Sequence, residues 1–132
     1  MKVLALDLGS VRVGVAVSAA GMALPLAVLR NDAELKARLA EIARERGVDR
    51  LLFGQPTGLS GSPTAATVHF GEMAAEIAES LDLPYELVDE RFSSRIASRA
   101  LADAGVSSRD RRGRVDDLAA AGILQAWLDS RA

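Results

Sequence analysis

LALDLGSVRVGVAVS, residues 4–18, decides how the rest of the chain is read. Two apolar runs, 2–8 and 11–18, are rich in Val, Leu and Ala and are parted by Gly9 and Ser10. That pattern is a β-hairpin. One acid, Asp7, interrupts the first run. A carboxylate inside an apolar strand is costly unless a charge or a set of donors meets it. Two readings follow: Asp7 caps the Gly9–Ser10 turn, or it belongs to a charged site.

Working outward, residues 23–30 supply a third strand after a turn at Gly21 and Met22, so the chain opens as a three-stranded meander. Asn31 or Asp32 then caps a helix over 33–46, with Leu35, Leu39, Ile42 and Ala43 at helical spacing and Gly47 at its end. A short apolar strand, 49–54, leads into a Gly-, Pro- and Ser-rich loop over 55–63. A second helix covers 64–81, and a last strand covers 84–88. Ser93 can cap another helix. Residues 105–114 read as a polar, basic, mobile loop, and a final helix fills 115–130. Tyr85 and Trp127 read as core. The order β-β-β-α-β-α-β-α-α predicts an α/β fold. Its five-stranded mixed sheet, three antiparallel strands and then two parallel, has helices on both faces.

Composition narrows the chemistry. The 132 residues are 49% hydrophobic, enough for one domain (1–132) with a real core. There is no cysteine and one histidine, His69, so disulfides, thiolate-bound metals and His-based triads are set aside. Neither a leader segment nor a membrane span is evident, which reads as a cytoplasmic protein. The net charge of −2 hides an uneven distribution. Residues 91–114 carry Arg91, Arg95, Arg99, Arg109, Arg111, Arg112 and Arg114 against Asp103 and Asp110, a local charge of +5. Such a block is a solvated helix face or an anion-binding surface.

Three acidic positions stand out by context: Asp7 in the first strand, Glu90 just past the last strand, and Asp116 with Asp117 at the start of the last helix. With the first strand central, the end of the last strand can lie beside it, and a helix laid over that edge adds a third acid. Converging carboxylates repel one another without a cation. Mg²⁺ or Mn²⁺ satisfies oxygen ligands, and two such ions about 4 Å apart can drive phosphodiester hydrolysis. Each acid also has a plain structural role open to it. Glu90 can pair with Arg91 or Arg95, and Asp116 and Asp117 can be first-turn acids favoured by the helix dipole. Helical spacing does not choose between Asp116 and Asp117.

Four stretches, LALDLGSVRVGVAVS, LLFGQPTGLSGSP, VDERFSS and VDDLAAAGILQAWLD, resemble the signature blocks of the YqgF/RuvX family in order and spacing. The resemblance spans essentially the whole chain. It implies a ribonuclease H-like fold and a metal-dependent nuclease, described for the family as maturing the 5′ end of pre-16S rRNA or as a Holliday junction resolvase. It implies that Asp7, Glu90 and Asp116 are catalytic acids and ligands for Mg²⁺ or Mn²⁺. Asp117 and Ser93 are then supporting residues. The loop Gln55-Pro56-Thr57-Gly58-Leu59-Ser60-Gly61 departs from the family's usual Leu-Pro-Leu-Asn-Met-Asp-Gly. The basic block now flanks the implied metal site, and Arg12, Arg91, Arg95, Arg99, Arg111, Arg112 and Arg114 are candidate phosphate contacts. Structured or single-stranded RNA, or branched DNA, is the expected partner. A resolvase making paired cuts calls for a two-fold homodimer, whereas an end-processing nuclease does not. Two competing functions are a non-catalytic nucleic-acid or ribosome-binding module and a sugar kinase or Hsp70-type ATPase. The kinase and the ATPase each need two such domains to close on ATP.

Overall fold

The computed structural model describes residues 1–55, 65–89 and 108–131. Five strands, β1 (Val3–Leu8), β2 (Arg12–Ala19), β3 (Met22–Arg30), β4 (Arg50–Gln55) and β5 (Tyr85–Asp89), form one sheet in the order β3-β2-β1-β4-β5. The first three are antiparallel, and β4 and β5 run parallel to β1. The expected mixed sheet is therefore present, with β1 at its centre.

Local chemistry sets each junction. In the β1–β2 turn the Gly9 N–H donates to the Arg12 carbonyl at 2.9 Å, and a Cβ on Gly9 would lie 2.6 Å from that oxygen. Only glycine fits without moving backbone. The β2–β3 turn falls at Ala20 and Gly21, both with positive φ (52° and 79°), the requirement of a type I′ hairpin turn. It sits one residue earlier than expected. Pro25 lies on β3, an edge strand, beside an irregularity in the β2–β3 register at Val15/Ala16. An edge strand tolerates its missing donor.

Two layers of helix enclose the sheet. On one face lie α1 (Leu35–Arg46) and α2 (Ala65–Leu81), which bury Leu35, Leu39, Phe70, Ala74 and Ile77 against Leu4, Leu6, Val13, Val15 and Phe53. Asp32 precedes α1 and accepts the Glu34 N–H through Oδ1 at 3.0 Å. Gly47, left-handed at φ 63°, ends the helix. Lys36 on α1 pairs with Glu76 on α2, and that contact holds the Glu76 carboxyl below the usual carboxylate range. On the other face lies α3 (Ser108–Ser130), which buries Ala120, Ala121, Ile123, Leu124 and Trp127 against Val3, Ala5, Ala16 and Leu52.

Two expectations are corrected. Residues 108–114 are the first two turns of α3, a 23-residue helix, and not loop. Arginine is a good helix former, and the buried C-terminal half of α3 anchors the rest. Tyr85 is 42% exposed, although its ring meets Phe53 edge-on at 5.9 Å. It sits on an edge strand, where only one flank is covered. Trp127 is core as expected, with 8% of its surface exposed.

Candidate active site

Strand alternation sends Leu4 and Leu6 toward α1 and α2, and Val3 and Ala5 toward α3. Asp7 follows Val3 and Ala5 and so stands on the α3 face, near the carboxyl end of the central strand. It is half-buried. No other described residue donates a hydrogen bond to its carboxylate or pairs with it, so Asp7 is not the cap of the Gly9–Ser10 turn. The turn is held instead by Asn31, whose Nδ2 donates to the Gly9 carbonyl at 2.7 Å and whose N–H donates to the Val11 carbonyl at 2.8 Å.

Among the described residues, the sheet positions on either side of Asp7 carry no side chain. Gly14 lies directly opposite it on β2. The parallel register that pairs Leu6 with Phe53 carries Gly54 of β4 to the same level on the other side. The acid is thus flanked by glycine on both neighbouring strands. Glycine at both positions brings no sheet side chain up against the carboxylate, as any other residue pair would. Sequence reasoning missed both glycines. The signal was there: a glycine inside an apolar strand marks close approach of something else.

The expected adjacency of the last strand to β1 is not found. β4 intervenes, because β5 pairs with β4, Gly54 opposite Val88 and Gln55 opposite Asp89. The carboxyl ends of β1, β4 and β5 nevertheless lie at one edge of the sheet, since all three are parallel. The C-terminal turns of α3 are fixed at the opposite edge. Gln125 Oε1 accepts the Ala23 N–H at 2.9 Å, and Trp127 Nε1–H donates to Glu86 Oε2 at 2.9 Å. From Trp127 back to position 116 is eleven residues of helix, about 16 Å. The backbone at 116 and 117 therefore runs toward the edge that carries Asp7.

Of the other candidates, Arg12 opens β2 and is exposed. Glu90, Arg91, Ser93, Arg95 and Arg99 lie outside the described residues, as does most of the 55–61 loop. Arg111, Arg112, Arg114, Asp116 and Asp117 are within α3, but their side chains are also outside the described set. Among the described residues, no group of three acids or histidines is positioned to hold a metal. His69 is exposed on α2. No described helix is long and apolar enough to cross a membrane.

Sequence reasoning also missed Glu86. Besides the indole, its Oε2 lies 3.6 Å from Arg50 and 3.7 Å from Arg131, whose guanidinium stacks 4.1 Å from the Trp127 ring centre. This cluster locks α3 to β4 and β5 away from Asp7.

Comparison with known proteins agrees with this architecture. Thermus thermophilus RuvC, solved in complex with a Holliday junction substrate, superposes with a TM-score of 0.62 at 17% identity, covering 99% of this chain and 95% of that one. The fowlpox virus resolvase, also solved with Holliday junction DNA, gives 0.54 at 9% identity over 99% of each chain. These likenesses establish the fold as that of the RuvC-like, ribonuclease H-type nucleases. Relatives closer in sequence carry the name "Putative pre-16S rRNA nuclease". One from Anaeromyxobacter dehalogenans is 42% identical over all of this chain and 99% of its own. One from Corynebacterium jeikeium is 39% identical over 97% of this chain and 86% of its own. The family model described as "RuvX: Holliday junction resolvase" matches residues 1–130. With a match of that extent, the chain belongs to the RuvX family.

Proposed function

We propose that the protein is a divalent-metal-dependent nuclease that hydrolyses phosphodiester bonds in maturation of the 5′ end of pre-16S rRNA. The observation that carries the proposal is Asp7: a half-buried carboxylate with no partner among the described residues, flanked by Gly14 and Gly54 on the neighbouring strands. Relatives named for pre-16S rRNA processing, alike over nearly their full lengths, favour RNA as substrate. An rRNA precursor is a cytoplasmic substrate, which favours a cytoplasmic protein.

Asp7, Glu90 and Asp116 are the proposed ligands of two Mg²⁺ or Mn²⁺ ions. The donor set suits the group: hard cations take carboxylate oxygens, and glycine on both neighbouring strands puts no sheet side chain against Asp7. Bound there, the ions supply charge neutralisation at the scissile phosphate and lower the pKa of water. The protein's own part is to hold its carboxylates on the rigid carboxyl edge of the sheet and on α3, and to orient the phosphate. Water attacks phosphorus, the bond to the 3′-oxygen breaks, and the products are a 3′-hydroxyl and a 5′-phosphate. Asp117 and Ser93 support the ligands. Arg12, Arg91, Arg95, Arg99, Arg111, Arg112 and Arg114 contact phosphates, which binds the strand without reading its sequence.

A second reading, cleavage of four-way DNA junctions by a homodimer, is favoured by the two neighbours solved with junction DNA. One experiment addresses both. Wild type and Asp7→Asn are incubated with pre-16S 5′-leader RNA, unstructured RNA and a synthetic four-way junction, in Mg²⁺, Mn²⁺ and chelator. Metal-dependent cutting of the leader, lost in the variant, is the expected result. Preferential cutting of the junction selects the second reading. Binding that is indifferent to metal, with no cutting, selects a non-catalytic module.

A further inference from the structure

Two arginines face each other across the strand pair that leads away from Asp7. Arg12 of β2 is directly opposite Arg30 of β3. One step nearer the sheet centre on the same face come Gly14 and Val28, which pair with each other, and Gly14 in turn pairs with Asp7. Val13, Val15 and Leu29 point to the α1–α2 side, so Arg12, Arg30 and Asp7 share the α3 face. By strand geometry the Arg12 Cα is about 8 Å from that of Asp7, and the Arg30 Cα about 12 Å. Both arginines are exposed, so α3 leaves this corner of the sheet uncovered.

The nearby acids do not serve Arg30. Asp32 and Glu34 both pair with Arg38, at 3.5 and 3.2 Å, and Glu76 pairs with Lys36. Arg30 makes no ion pair with another described residue. Its backbone is fixed, because the next residue, Asn31, is bound to the β1–β2 turn at two points. An exposed guanidinium with no ion pair among the described residues, rising from a fixed backbone on the face of the proposed catalytic acid, suits a phosphodiester.

We propose that Arg30, with Arg12 beside it, binds backbone phosphate and leads the nucleic-acid strand from Asp7 across the β2–β3 edge. This rests on the nuclease reading above and adds to it a direction for the strand and a residue that no sequence motif marked.

The test is binding measured in chelator, where no cutting interferes. The probes are labelled single-stranded RNA and a labelled four-way DNA junction, titrated over a range of salt. Arg30→Gln should weaken binding about three- to tenfold and lower the slope of log affinity against log salt by about 0.7 to 0.9. Arg30→Lys keeps the charge and should keep the slope. Arg46→Gln, the same charge change on exposed α1 of the other face, should leave both unchanged. If Arg30→Gln keeps the wild-type slope while wild type binds and cuts, this inference is overturned and the nuclease reading stands. If wild type binds neither probe and cuts nothing, both are overturned.

Discussion

Trp127 donates its indole N–H to Glu86 Oε2 at 2.9 Å, joining the last turns of α3 to the edge strand β5. The indole is mostly buried, so water only partly replaces a lost acceptor. The Arg50 and Arg131 pairs on the same oxygen are partly exposed and contribute less. Glu86→Leu should therefore destabilise the protein by about 1–3 kcal/mol, chiefly through the indole. Glu86→Gln keeps an acceptor and should lose clearly less. Urea unfolding of the two variants decides it: equal losses would mean that the ion pairs, not the indole bond, carry the effect.

Gly9 predicts a change that couples fold to site. A Cβ there would press on the Arg12 carbonyl at 2.6 Å, so Gly9→Ala must displace the turn. Asp7 precedes it by two residues. The expected loss is about 1–3 kcal/mol of stability, the range for overpacking. Cutting of leader RNA should fall more than the residual folded fraction explains. Cleavage that merely tracks the folded fraction would show the turn to be structural only.

The hairpin, the meander and the five-stranded sheet were legible because period-2 apolar runs leave few alternatives once turn residues are placed. Trp127 and the α1 stripe of Leu35, Leu39 and Ala43 were legible for the matching helical reason. Residues 108–114 were not, because Arg, Asp, Ser and Gly together look like loop, while the helix there is continued from a buried half further on. Asp7 could be singled out, since a charge in an apolar strand is a local anomaly. Its glycine neighbours could not, because that relationship exists only after β1 is paired on both sides. Arg30 escaped for the same reason: one arginine at a strand end is unremarkable until register sets it opposite another.

Gly14 gives a third prediction. Valine is favoured in strands, so Gly14→Val should keep the fold, at a cost of no more than about 1–3 kcal/mol from crowding under α3. It would place a branched side chain beside the Asp7 carboxylate, on the strand directly opposite. Displacement of reacting groups by about 1 Å can cost a hundredfold in rate. Cleavage should drop by about that factor, and the midpoint of the Mn²⁺ activation curve should rise. An unchanged Mn²⁺ midpoint would show that the space between β1 and β2 is not used by the metals.

The last prediction separates Asp116 from Asp117, which helical spacing alone leaves equal. Position 116 is in line with Ala120, Ile123 and Trp127, and position 117 with Ala121, Leu124 and Leu128, and both stripes pack on the sheet. The two stripes diverge at the far end of the helix. Trp127 reaches Glu86 on β5, whereas Gln125, one turn after Ala121, reaches Ala23 on β3. The stripe of position 116 thus leans toward the β4–β5 side, from whose carboxyl end the chain enters Glu90. A third ligand shared with Asp7 and Glu90 belongs on that side. Asp116→Asn should abolish cleavage, and Asp117→Asn should reduce it by about 10- to 100-fold, as expected for a residue that only orients a ligand. Both variants should remain folded, with urea unfolding close to that of the wild type. The reverse order of activities would move the metal ligand to Asp117 and turn the active edge of α3 toward β3.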